Sequence, residues 1–275
     1  MAYEDRGGNA LDYFPCRYGK SKLMFRGPKR RLEGRYVAMI GGSETYGKFV
    51  AQPYPALVEE KLGRKVVNFG LMNAGLDVFS HDTTIRDSCS RARVTVVQIG
   101  GAQNMSNRFY AVHPRRNDRF LRASALLKTI YPEVDFTEFH YTRHLLRALR
   151  ADSAEKFALV EQELKQAWTA RMKTLVAQLD TKVVLLWLSD HGPDESSRWT
   201  PERAEPLFVD RAMLAEVAPY VEGLVEVVAD PGEIAAGRAG LVYGDLEAPA
   251  AQEMLGAVAH EKAAAALVPV IARLM

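Results

Sequence analysis

Apolar positions along the chain follow two rhythms. Five short runs are almost continuously apolar and rich in Val, Ile and Leu: the first half of Tyr36 to Gly47, then KVVNF from Lys65, Arg93 to Gly100, Lys182 to Ser189, and GLVEVVA from Gly223. Between them apolar residues recur at helical spacing. Tyr54 to Gly63 ends on a glycine suited to a helix C-cap, and Ser153 to Leu179 carries Phe157, Val160, Leu164, Trp168, Met172, Leu175 and Leu179 on one stripe. Shorter helical patterns cover Asp210 to Tyr220 and the tail from Glu261 onward. A strand, a helix and another strand in that order form the βαβ unit of a parallel sheet. The pattern therefore predicts an α/β protein, a three-layer α/β/α sandwich with a central, mostly parallel five-stranded sheet, as a single domain over residues 35–275.

Two segments do not fit the alternation. Residues 1–34 have no period and are dense in cations (Arg17, Lys20, Lys22, Arg26, Lys29, Arg30, Arg31), with Tyr13, Phe14 and Tyr18 as aromatic anchors. They read as a basic irregular arm packed on the domain. Residues 107–152 are rich in Arg and aromatics and then read as short helices broken at Pro132. Because they interrupt the strand-helix order, they are expected to be a helical insertion or lid over a site.

Composition narrows the function classes. A chain of 275 residues with 48% hydrophobic content can bury a full core. Its 36 cations nearly balance its 34 anions, so the overall charge calls for no nucleic-acid partner. The N-terminus lacks the basic-then-apolar profile of a secretory leader, and no apolar run reaches the roughly 20 residues of a membrane span. A cytoplasmic location is the expectation. Cys16 and Cys89 read as free structural thiols. His140 and His144 are four residues apart, but no acidic helper stands at HExxH spacing, so neither a metal nor another cofactor is expected.

The chemistry-bearing positions cluster where the strands end. The first run breaks into Gly41-Gly42-Ser43, the second into Asn68 to Gly75, the third into Gly101 to Tyr110. Loops at the carboxyl ends of parallel strands converge, so Ser43 is a candidate nucleophile; a helix N-cap is the competing reading. Asn73 stands in the second loop as a ligand-binding candidate. Asp190 and His191 follow the fourth run at the same edge, with His191 the binding candidate. Arg115 and Arg116 suit an anionic group through their forked guanidinium, and salt links to Asp118, Glu133 or Asp135 are the alternative. A dinucleotide-binding reading is weaker, since GGSETYG lacks GxGxxG spacing.

These blocks resemble the SGNH (GDSL-type) hydrolase family, whose sheet is flavodoxin-like. Gly41-Gly42-Ser43 stands for the GDS motif, Asn68-Phe69-Gly70 for the glycine block, and Gly101-Ala102-Gln103-Asn104 for the GxND block. The runs SETYGKF, NFGLMNAGLDVF and GAQNMSNRFYAVHPRRNDRF are similar to those of an uncharacterised bacterial family related to that fold. The resemblance implies Ser43 as nucleophile and His260 as base. It also implies an oxyanion hole from the N–H groups of Ser43 and Gly70 with the amide of Gln103 or Asn104, depending on the register of the block. Two departures stand out: Gly42 replaces the family's aspartate, and Ala257 stands where an acid would orient His260. The expectation is a Ser-His hydrolase or acyltransferase acting on a small-molecule or glycan ester, the basic residues favouring an anionic one. The alternative is an inactive module of the same fold that binds an anionic polysaccharide or a protein partner.

Overall fold

The structure is a computed structural model that describes residues 11–195 and 205–275; the first ten residues of the basic arm lie outside the described residues. Five parallel strands form the central sheet: β1 (Val37–Gly41), β2 (Val66–Gly70), β3 (Val94–Gln98), β6 (Lys182–Ser189) and β7 (Gly223–Val228), in the order β2-β1-β3-β6-β7. β4 (Tyr110–His113) and β5 (Arg116–Ala123) pair separately as an antiparallel hairpin. The parallel α/β sandwich expected from the pattern is therefore the fold.

The continuous apolar runs arise because both faces of the sheet are covered. Side chains alternate across a strand, and in β1 Ala38 and Ile40 join one core while Val37 and Met39 join the other. The first core lies under α3 (Leu76–His81), α4 (Thr83–Ser90), α6 (Thr142–Asp152), α7 (Ala154–Gln178) and α8 (Arg211–Val217), with α7 packed on α3, α6 and α8. Phe157, Val160, Leu164, Trp168, Met172 and Leu175 of α7 are all buried, which is why that long helix is amphipathic. Removing a side chain of that size from water contributes about 1.5–3 kcal/mol. The second core lies under α2 (Tyr54–Leu62), α9 (Pro231–Arg238) and α11 (Ala257–Leu274). Helices α1 (Ser43–Tyr46), α5 (Ala125–Ile130) and α10 (Ala248–Ala251) are shorter pieces at the edges.

Differences from the pattern reading have local causes. Residues 107–152 begin with the β4–β5 hairpin rather than with helices: Tyr110, Val112, Phe120 and Ala123 turn inward, around the turn at Pro114 and Arg115. Helix α11 begins at Ala257, before His260, which moves that histidine from the helix start onto its buried face. In the arm, Cys16 and Phe25 pair across a bridge, and Tyr18 and Phe25 pack on Phe69, while Phe14 is exposed rather than an anchor. Arg26 ties the arm to the loop after α1 by donating to the carbonyls of Gly47, Val50 and Ala51. Cys16 and Cys89 are free. Among the described residues no helix is long and apolar enough to cross a membrane.

Candidate active site at the carboxyl edge of the sheet

Ser43 owes its position to two missing side chains. A Cβ on Gly70 would fall 2.2 Å from the Tyr46 nitrogen, so only glycine lets α1 lie directly on the end of β2. A Cβ on Gly41 would fall 2.1 Å from Thr45 Oγ1 and 2.6 Å from Gln98. Gln98, the last residue of β3, then braces the turn by accepting the N–H groups of Gly42 and Thr45, both at 3.1 Å, on either side of Ser43. Gly42 is the N-cap and Ser43 the first helical residue, so the serine hydroxyl does not cap the helix.

That hydroxyl meets Asn73 instead. Ser43 Oγ donates to Asn73 Oδ1 at 3.1 Å, and the Asn73 backbone N–H donates to Ser43 Oγ at 3.1 Å. Asn73 has φ 55°, the left-handed conformation that asparagine tolerates better than most residues. Its Nδ2 donates to Asp118 Oδ2 on β5 at 3.2 Å. Burial pushes the Asp118 carboxyl pKa up from its ordinary value, against the opposing pull of the Asn73 hydrogen bond and of the Arg119 and Arg116 charges. Thus the inserted hairpin reaches the serine through one amide.

Asn104 packs against the loop that carries Asn73: a Cβ on Gly75 would fall 1.7 Å from the Asn104 carbonyl oxygen. Thr142 Oγ1, at the start of α6, donates to Asn104 Oδ1 at 2.8 Å, which leaves Nδ2 as the amide's donor. Gln103 faces elsewhere. Its Nε2 donates to Glu205, while its buried Oε1 has no partner among the described residues. Of the two residues that the sequence leaves open, Asn104 is the one whose backbone packs against the Asn73 loop.

Three other candidate residues occupy surroundings that the sequence does not suggest, and Gly70 is the first. Its N–H is donated to Asn68 Oδ1 at 2.8 Å, and its contribution is the close approach of α1. The backbone N–H that points at Ser43 belongs to Asn73. His260 is fully buried: Nδ1 accepts the Tyr54 N–H at 3.0 Å, so the ring proton sits on Nε2, which donates to Glu44 Oε2 at 3.0 Å. The expected Ser43–His260 hydrogen bond is not made, because both ring nitrogens are already engaged. His191 is 3% exposed, with Nδ1 at 2.7 Å from Asp190 Oδ1 and 2.8 Å from Ser189 Oγ, its ring edge-on to Trp187, and a buried Nε2 without a partner among the described residues. Among the described residues no hydrogen bond connects it to Ser43.

Arg115 and Arg116 are exposed at the hairpin turn, and Arg119 lies over the Tyr141 ring at 4.4 Å. Among the described residues no ion pair joins these arginines to Asp118, Glu133 or Asp135. His144 packs edge-on against Phe139, and no cluster of three metal-ligating side chains occurs among the described residues. Asp118, Thr142, Gln98 and Glu44 are the site residues that sequence reasoning passed over. Gln98 alone carried a signal, as a polar residue closing an otherwise apolar buried run.

The sheet, with a serine, two oriented amides and a carboxylate at its carboxyl edge, defines an α/β protein with a polar site at the place where such folds bind ligands. Over residues 1–275 the chain matches the family described as Domain of unknown function (DUF6473), and it belongs to that family. No curated protein matches it in sequence. Among solved structures it is similar to the lipase Lip_vut3 from a goat rumen metagenome, at 12% identity and a TM-score of 0.40, over 84% of this chain and 96% of that one. It is also similar to a catalytic mutant of Axe2, an acetylxylan esterase from Geobacillus stearothermophilus, at 14% identity and a TM-score of 0.43, over 86% and 93% of the two chains. A third likeness, to BT4096, a gut microbial diltiazem-metabolizing enzyme, has 11% identity and a TM-score of 0.37, and covers 82% of this chain but 42% of that one.

Proposed function

We propose that this protein is an SGNH-type serine esterase or acyltransferase that acts on an acyl ester at Ser43. The observation that supports this best is the Ser43–Asn73 pair, a hydroxyl at a strand-to-helix turn with a backbone N–H aimed at it. In this reading Ser43 Oγ attacks the acyl carbon and the alcohol leaves. Water or a second hydroxyl then takes the acyl group from the serine, so hydrolysis and transfer share one intermediate. The Ser43 N–H and Asn104 Nδ2 receive the developing oxyanion charge, while the Asn73 N–H holds the Ser43 hydroxyl in place. The exposed Arg115 and Arg116 favour an ester that carries an anionic or glycan group.

No imidazole or carboxylate hydrogen-bonds Ser43 Oγ among the described residues, so as the Oγ–acyl bond forms its proton passes from the hydrogen bond to Asn73 Oδ1 into water, and water returns a proton to the departing alcohol. Turnover is then slow: losing the base of a complete triad costs about 10⁶ in kcat, while oxyanion donors and binding alone retain about 10³–10⁴ over water. A second reading is favoured by the engaged His260: a module of this fold that binds an anionic ligand without turning it over. A panel of short-chain p-nitrophenyl esters separates the two. Turnover that disappears in Ser43→Ala supports the enzyme. Absent turnover, together with anionic-ligand binding that weakens with salt and in an Arg115→Ala/Arg116→Ala variant, supports the module.

A further inference from the structure

We infer that Asp118, carried by the inserted hairpin, is a positioning residue for Ser43: its carboxylate sets which way round the Asn73 carboxamide lies, and through it where the serine hydroxyl points. The inference rests on reading Ser43 as the nucleophile. A carboxamide has an accepting end and a donating end that are almost equal in shape, so its partners decide its orientation. An ionised carboxylate only accepts, so Asn73 turns Nδ2 toward Asp118 and is left with Oδ1 toward Ser43. Oδ1 in turn only accepts, and therefore draws the Ser43 proton to itself. One oxygen lone pair of Ser43 meets the Asn73 N–H, and the other stays available to an acyl carbon. With the amide reversed, Nδ2 would donate to Ser43 Oγ, both lone pairs would be occupied, and the nucleophile would be silenced.

With Asp118 ionised, only one orientation of the Asn73 amide makes both hydrogen bonds. The hairpin itself is anchored independently of Asp118: Asn117 Oδ1 accepts the N–H groups of Gly75 at 2.9 Å and Val78 at 3.2 Å, and Asn117 Nδ2 donates to the His113 carbonyl at 3.1 Å. Substitution at 118 therefore leaves the hairpin in place. Burial raises the Asp118 pKa, and the Asn73 hydrogen bond with the Arg119 and Arg116 charges opposes that rise.

The test compares wild type, Asp118→Asn and Asp118→Ala by the rate at which a fluorophosphonate probe modifies Ser43, read by intact mass. The Asn73 side-chain amide signal is followed alongside by ¹H–¹⁵N NMR, identified by its loss in Asn73→Ala. Asparagine at 118 has the shape of aspartate but also donates, so it permits the reversed amide. The expected result is labelling slowed about tenfold or more in both variants, the scale of one charge-assisted hydrogen bond. The Asn73 amide signal is expected to move and the unfolding midpoint to show no fall in Asp118→Asn. Labelling at the wild-type rate, or an amide signal unmoved by Asp118→Asn, overturns the inference while leaving Ser43 as nucleophile. A wild type that does not label overturns that reading first, and this inference with it.

Discussion

Glu44 accepts the Nε2–H of His260 at 3.0 Å, and Glu44 is the residue that directly follows Ser43 in the chain. The same carboxylate accepts the Leu255 N–H through its other oxygen at 3.2 Å. One side chain thus fastens α1 to the segment that opens α11, and the histidine that resembled a catalytic base acts as a buried strut. His260→Ala would strand the Tyr54 N–H and leave Glu44 Oε2 without its donor. Each such loss costs about 1–3 kcal/mol, so stability is expected to fall by about 2–6 kcal/mol. Urea unfolding measures the fall, while the probe labels Ser43 in the folded fraction at the wild-type rate. A labelling rate that collapses with stability intact would return His260 to the chemistry.

Gly70→Ala tests whether that glycine acts through space rather than through its N–H. The added Cβ meets backbone at Tyr46 N and Thr45 C, where no rotamer offers relief. Overpacking of this kind is expected to cost about 3 kcal/mol or more and to displace Ser43. Thermal unfolding with probe labelling reads both effects.

Thr142→Val keeps the shape of the side chain and removes the donor to Asn104 Oδ1. A buried acceptor left unpaired costs about 1–2 kcal/mol, and an amide free to turn is a poorer oxyanion donor. Slower ester turnover with little change in KM is the expected outcome. A changed KM with kcat intact would place Asn104 in binding alone.

Burial raises the Asp118 carboxyl pKa, which fixes the sign of its effect on stability. Above the raised folded value the group is ionised in both states, and the folded chain carries the cost of burying that charge. Below the ordinary carboxylate value it is protonated in both states, and the cost is gone. Asp118→Asn is therefore expected to unfold at a higher temperature than wild type at neutral pH. The gap should close as pH falls through the window between the two values. Calorimetry across that range checks it; a gap that widens toward acid would reverse the assignment.

The five strands were legible because parallel strands buried on both faces leave near-continuous apolar runs, and α7 was legible through its stripe. The hairpin was not: its pairing shifts register on both sides of Val112, and charged residues interrupt the alternation of Tyr110, Val112 and Phe120. Helices α3 and α4 are six and eight residues long, too short for a helical stripe to show. At the site, Ser43 and Asn104 could be picked out as residue types at strand ends. Which N–H faces the serine depends on the left-handed turn at Asn73, and where His260 points depends on a helix that begins three residues before it. Asp118 and Thr142 reach the site from an insertion far along the chain, a relation that spacing does not encode.

Intact-mass analysis of the protein after incubation with a fluorophosphonate probe tests the central claim most directly. One adduct is expected on wild type, mapping to the peptide that contains Ser43, and none on Ser43→Ala. An unmodified wild type, or an adduct that persists in Ser43→Ala, would contradict Ser43 as the nucleophile.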